Sequence, residues 1–132
     1  MDSAVMETDA AGTFAGSSYM YATARDWAKL GLLLARDGVW NGNRLLPENF
    51  VRLMHEANGS SNGRYSKMQT WLPGGGGGIP SDTFILDGHD GQSVVVIPSL
   101  DLVVVRLGLT PRALGYRPTA LITAAAKAGT AP

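Results

Sequence analysis

Two short runs, SVVVI (Ser93–Ile97) and LVVVRL (Leu102–Leu107), constrain this chain more than any other feature. Their valines and isoleucine are stiff at χ1 and suit extended backbone better than helix. Neither run alternates apolar with polar, so each strand is expected to be covered on both sheet faces. Only Pro98-Ser99-Leu100-Asp101 separates them, a short turn that makes the pair an antiparallel hairpin. Thr83–Leu86, just upstream, reads as a third strand.

Helices are the natural cover. TARDWAKLGLLLARDG has Thr23 as N-cap, with Asp26 three residues on as the second half of a capping-box-like pair. Trp27, Leu30, Leu33 and Leu34 form its apolar stripe, and Gly38 is expected at the C′ stop. A turn at Asn41-Gly42 leads to a second helix with Pro47 in its first turn and Phe50, Leu53 and Met54 facing inward. A third helix follows Pro118, with Leu121, Ile122 and Ala125 on its buried side and Gly129 at its end. Residues 1–22 read as irregular chain, and Arg64–Trp71 as a loosely alternating strand after an Asn62-Gly63 turn. The expectation is an α+β fold, an antiparallel sheet with helices on both faces. At 132 residues it fills one domain.

Composition removes several functions. Eleven acidic and eleven basic side chains cancel, with no basic stripe, so nucleic acid is not an expected partner. The chain lacks cysteine and has two histidines, and His55 beside Glu56 reads as a helix-surface residue, so no metal or cofactor is expected. The longest apolar runs, Gly31–Ala35 and Val94–Pro98, are too short to span a bilayer. No cationic segment followed by an apolar one opens the chain, so no signal peptide is expected as written. That fits a cytoplasmic chain, or a periplasmic or secreted parent whose leader lies upstream. Gly74–Gly78 lacks the Lys-Ser or Lys-Thr of a phosphate-binding loop, and residues 72–82 read as a flexible glycine-rich connector.

Gly88-His89-Asp90-Gly91-Gln92, at the entrance to the valine hairpin, carries the candidate chemistry. Imidazole with carboxylate is the base-and-orienter half of a catalytic triad. Adjacent residues on an extended strand point to opposite faces and cannot pair; in a turn they can. The other reading is an ordinary tight turn. Serine-nucleophile signatures are missing: there is no G-x-S-x-G, and no serine has a lysine three residues later.

Two blocks taken together, GSSYMYATARDWAKLGLLLARDGVWNGNRLLPENFV (Gly16–Val51) and LDGHDGQSVVVIPSLDLVVVRLG (Leu86–Gly108), resemble the C-terminal part of the serine β-lactamase-like family. That family includes class C β-lactamases, penicillin-binding D-alanyl-D-alanine carboxypeptidases, esterases and 6-aminohexanoate-dimer hydrolases. The Thr-Ala-Arg-Asp helix start, the Asp-Gly-Val-Trp-x-Gly turn, the Leu-Pro-Glu helix and the Gly-His-x-Gly-Gln segment occur in the family's order. The resemblance implies a partial β-lactamase/transpeptidase-like fold and covalent catalysis by an S-x-x-K serine, its lysine and a Y-x-N tyrosine. It also implies a third box on an edge strand, whose glycine is followed by an oxyanion-hole N–H.

Only that third box is present, in one of two registers. With Gly88 as the box glycine, His89 N–H is the donor and Leu86-Asp87 stand where Lys-Thr would. With His89-Asp90-Gly91 as the box, Gln92 N–H donates. Ser17, Ser18 and Tyr19, ahead of the first helix, are expected to border the same pocket and contact substrate, an ordinary polar loop being the other reading. No tyrosine has an asparagine two residues on, so Y-x-N is absent as well. The chain thus reads as the C-terminal portion of a longer hydrolase of esters, β-lactams or small amides, with Met1 internal to the parent. Alone it is expected to be inactive. Its partner would be a missing N-terminal half, whose absence leaves Leu102–Leu107 a bare apolar edge. The alternative is a non-catalytic binding or complementing module.

Overall fold

The computed structural model describes residues 1–16 and 18–130, among which there are three α-helices and three small antiparallel sheets, an α+β arrangement. The main sheet holds β5 (Phe84–Asp87), β6 (Ser93–Ile97) and β7 (Leu102–Arg106) in that order, with Ile85 opposite Val95 and Val95 opposite Val104. The remaining sheets are two-residue pairs: β1 (Val5–Met6) with β2 (Met20–Tyr21), and β3 (Val39–Trp40) with β4 (Asn43–Arg44). The β3–β4 turn is Asn41-Gly42, both at positive φ as a type I′ turn requires.

The unbroken apolar run of β6 is explained by two cores. Val94 and Val96 join Phe84 against Leu34 of helix α1 (Ala24–Ala35) and Val51 and Met54 of helix α2 (Phe50–His55). Val95 and Ile97 join Ile85 and Ile79 against Ile122 and Ala126 of helix α3 (Thr119–Gly129). Every residue of β6 is buried, each aliphatic side chain contributing about 1.5–3 kcal/mol relative to exposure. Helix α1 lies close on the sheet because position 31 is glycine: a Cβ there would stand 2.4 Å from Val103 Cγ1.

Thr23 caps α1 as expected, its hydroxyl accepting from the Asp26 N–H. The capping box is not completed by Asp26, whose carboxylate is a methylene shorter than the usual Glu. Ser3 takes that place: its hydroxyl accepts the Thr23 N–H at 3.0 Å, while Asp26 accepts the Ser3 N–H at 2.9 Å, the Ser3 hydroxyl at 2.7 Å and Lys29 at 2.8 Å. At the other end Asp37, at φ 51°, holds the C′ position expected of Gly38. Gly38 follows at C″ and donates to the Leu33 carbonyl in a Schellman pattern.

Other boundaries also move. Helix α2 begins at Phe50, with Pro47 in the turn before it accepting the Phe50 N–H, so Pro47 is not in the helix. This six-residue helix buries Val51 and Met54, one i,i+3 row, and leaves Phe50 and Leu53 half-buried. Helix α3 buries Ile122 and Ala126, an i,i+4 row, while Leu121 is exposed and Ala125 half-buried. Arg64–Trp71 forms isolated bridges rather than a ladder strand. Within 72–82, Gly76 and Ile79 exchange backbone hydrogen bonds and Ile79 is buried in the α3-side core, an anchor the glycine run did not announce. No helix among the described residues is long and apolar enough to cross a membrane.

Candidate active site

The outer edge of β5 fixes the direction of every backbone group up to the turn. Ile85 exchanges both its bonds with Trp71, at 2.9 Å each, so its N–H and C=O face away from β6. Gly88 is extended and donates inward, to the Gln92 carbonyl at 2.8 Å. With the two-residue period of a strand, the N–H groups of Asp87 and His89 face the outer edge. His89 N–H donates to no acceptor among the described residues, whereas Gln92 N–H closes the turn on the His89 carbonyl at 3.2 Å. The outward N–H is the one belonging to the register with Gly88 as box glycine.

The turn from His89 to Gly91 is tight, with Asp90 at φ 51° and Gly91 at φ 81°. It brings the adjacent imidazole and carboxylate together: His89 Nε2 lies 3.3 Å from Asp90 Oδ2, the imidazole 85% exposed. An extended strand would have held them apart. From behind, Arg106 donates to the Gly91 carbonyl at 2.6 Å and also to the Gly108 carbonyl and the Thr110 hydroxyl, while Thr110 N–H binds the Asp90 carbonyl at 2.8 Å. Position 91 favours glycine here, because its φ of 81° strains any side chain and a Cβ would also stand 3.0 Å from the Tyr116 ring.

The facing wall comes from the far end of the sequence. Pairing of β1 with β2, the Glu7 N–H bond to the Tyr19 carbonyl and the Ser3–Asp26 contact hold residues 1–8 and 18–26 together. Tyr19 is left-handed at φ 65°, unusual for an aromatic residue. Between this wall and the turn is an open cleft of about 740 Å³. Gly88, His89, Gln92, Ser18 and Tyr19 all line it, so the two expected groups do meet. Gly91 does not line it and faces Arg106 and Tyr116 instead; Ser17 lies outside the described residues.

Leu86 and Asp87, at the box positions of the Gly88 register, line the cleft too, and further lining residues were not anticipated as site residues: Ser93, Tyr21, Trp27 and Leu107 among them. Partial desolvation at the cleft wall pushes the Asp87 carboxyl above the usual carboxylate range. Glu7, beside Tyr21, pushes that phenol up. Ser93 is 5% exposed and its hydroxyl has no hydrogen-bond partner among the described residues. Only its position at the start of a valine run, where a polar residue must be buried, hinted at this. No group of three or more His, Cys, Asp or Glu among the described residues is placed to hold a metal ion.

No model of a known protein family matches this chain, and a search of curated proteins finds no match.

Proposed function

We propose that this chain is the C-terminal part of a serine β-lactamase-like hydrolase, a partial β-lactamase/transpeptidase-like fold supplying one wall of an acyl-transfer cleft. The observation that carries this reading is the outward, unpaired N–H of His89 beside the cleft, on the strand edge where the resemblance puts an oxyanion donor. In the proposed reaction a serine from outside this chain attacks the carbonyl of an ester, β-lactam or small amide. The negative charge that develops on oxygen accepts the His89 N–H, a fixed donor that needs no reorganisation at the moment of reaction. The leaving group departs protonated, and water then hydrolyses the acyl-serine. The exposed His89 imidazole, 3.3 Å from the Asp90 carboxylate, stands at the rim of the cleft, where it can orient substrate.

The test is the reading frame upstream of Met1. An open frame with S-x-x-K followed by Y-x-N supports the hydrolase. A stop codon with no such boxes nearby overturns it. The second reading, a complementing module, is favoured by the edge of β7, which no strand among the described residues pairs. A separate neighbouring gene carrying the two boxes selects that reading.

A further inference from the structure

We infer that the open edge of β7 is an interface for a second copy of this chain, joined in one register, with helix α1 of each copy packed alongside helix α1 of the other. The inference does not rest on the hydrolase reading.

The ladder decides which backbone groups the edge offers. Ile85 turns its N–H and C=O outward to Trp71, so Val95 opposite it turns both toward β7, where it bonds with Val104. With the two-residue period, Leu102, Val104 and Arg106 bond to β6, and Val103 and Val105 carry their N–H and C=O on the outer side. No hydrogen bond among the described residues takes these four groups, and β7 is the last strand of its sheet. From Leu102 to Arg106 the edge has neither proline nor lysine, and Arg106, its one charge, is turned back to the Gly91 and Gly108 carbonyls.

One antiparallel register satisfies all four groups at once. Val103 of each copy lies opposite Val105 of the other, and the two Val104 residues face each other on a twofold axis as a non-hydrogen-bonded pair. The two Arg106 residues then stand four strand steps apart, about 13 Å. Moving the centre to Val105 makes them diagonal neighbours, about 7–8 Å apart, and sets like charges together. Moving it to Val103 calls on Asp101, whose N–H is already given to the Pro98 carbonyl.

The helices fit the same geometry. A Cβ at Gly31 would touch both Val103 of β7 and Val94 of β6, so α1 runs above the space between these two strands. With strands about 4.8 Å apart, the twofold axis sets the two α1 helices about 9–10 Å from each other, the spacing at which helices pack. Leu30 and Leu34 pack into the core that α1 shares with α2 above Phe84 of β5. Ala28 and Leu32, about half a turn round the helix from Leu30, are half-buried and belong to neither core, so this apolar i,i+4 flank overhangs the open edge. A second copy covers the strand edge and this flank together.

The chain has no cysteine, so single cysteines report the contact without background. Facing residues of a non-hydrogen-bonded pair lie about 4.5 Å apart at Cα, within disulfide reach, whereas the two Val103 residues stand about 8 Å apart in this register. Under mild oxidation Val104→Cys is expected to give a covalent dimer and Val103→Cys to stay monomeric in denaturing gels. Leu32→Glu, checked for intact helix by circular dichroism, should raise the dimer dissociation constant about tenfold or more by opposing two carboxylates, and Leu32→Lys likewise. Mixing those two variants should restore association. Equal cross-linking at positions 103 and 104, a Leu32→Glu variant that associates as the unsubstituted chain does, a mixture that stays apart, or an unsubstituted chain that is monomeric at millimolar concentration would each overturn the inference. None of these readouts involves hydrolysis, so this interface and the hydrolase reading stand or fall separately.

Discussion

The Arg106 guanidinium lies over the ring of Tyr116, its Cζ 4.0 Å from the ring centroid, and from there reaches the Gly91 carbonyl. One side chain at the end of β7 thus sets the back of the turn whose front faces the cleft. Arg106→Lys keeps a positive charge but loses the planar fork and the stacking. The expected cost is about 1.5–3 kcal/mol, the range for hydrogen bonds to charged groups, read from urea unfolding. The His89 and Gln92 amide resonances should shift in the folded variant. An unchanged unfolding midpoint with unmoved resonances would show that the turn holds itself.

At Gly31 helix α1 approaches the sheet closely. Gly31→Ala raises helix propensity by about 1 kcal/mol but drives a methyl into Val103. The clash should win, with a net loss of about 1–3 kcal/mol by chemical denaturation. Adding Val103→Ala to that variant should give a coupling term of opposite sign, recovering part of the loss. Strict additivity of the two substitutions would refute the contact.

Asp26 makes stability depend on acid. The Lys29 hydrogen bond first, and then the two bonds from Ser3, hold its carboxyl well below the ordinary 3.8. A depressed folded value means the contribution is present above the unfolded value and is lost as pH falls through about 4 and below. Asp101, lowered by Arg36, acts with the same sign from a more exposed position. In urea titrations from pH 7 to pH 3, Asp26→Asn should be less stable than the parent at pH 7, with the gap narrowing below about pH 5. A gap constant with pH would mean that the carboxylate's charge contributes nothing.

The parts legible in the sequence were those fixed by local chemistry. β-branched runs gave the hairpin, and Thr23 gave the start of α1. Where two local readings had equal appeal, the structure chose by packing. Pro47 suits the first turn of a helix and also the residue before one, and the alanine-rich α3 offers two adjacent apolar rows, of which the one with Ile122 and Ala126 is buried in the core. The cleft was half legible. Gly88 to Gln92, with Leu86-Asp87 just ahead of them, and the Ser18–Tyr19 loop were singled out, but Trp27 joins the site from helix α1 through contacts remote in sequence. The staple of Ser3 on Asp26 spans 23 positions through polar atoms that carry no periodicity.

The two edges of the main sheet differ. At β5, Trp71 already occupies the outward groups of Ile85; at β7 no strand lies alongside among the described residues. Past Ile85 only the short end of β5 at Asp87 and His89 keeps outward groups free, so β7 is the one full-length open edge and the sheet can be extended there once. Two copies meeting through β7 would consume each other's free edge, a self-complementary contact with a twofold axis that leaves nothing further to add. Sedimentation should accordingly show monomer and dimer and no larger species. Unbounded growth in the same experiment would mean that the β5 side is open after all. The placement of a single tryptophan thus separates a chain that pairs and stops from one that polymerises.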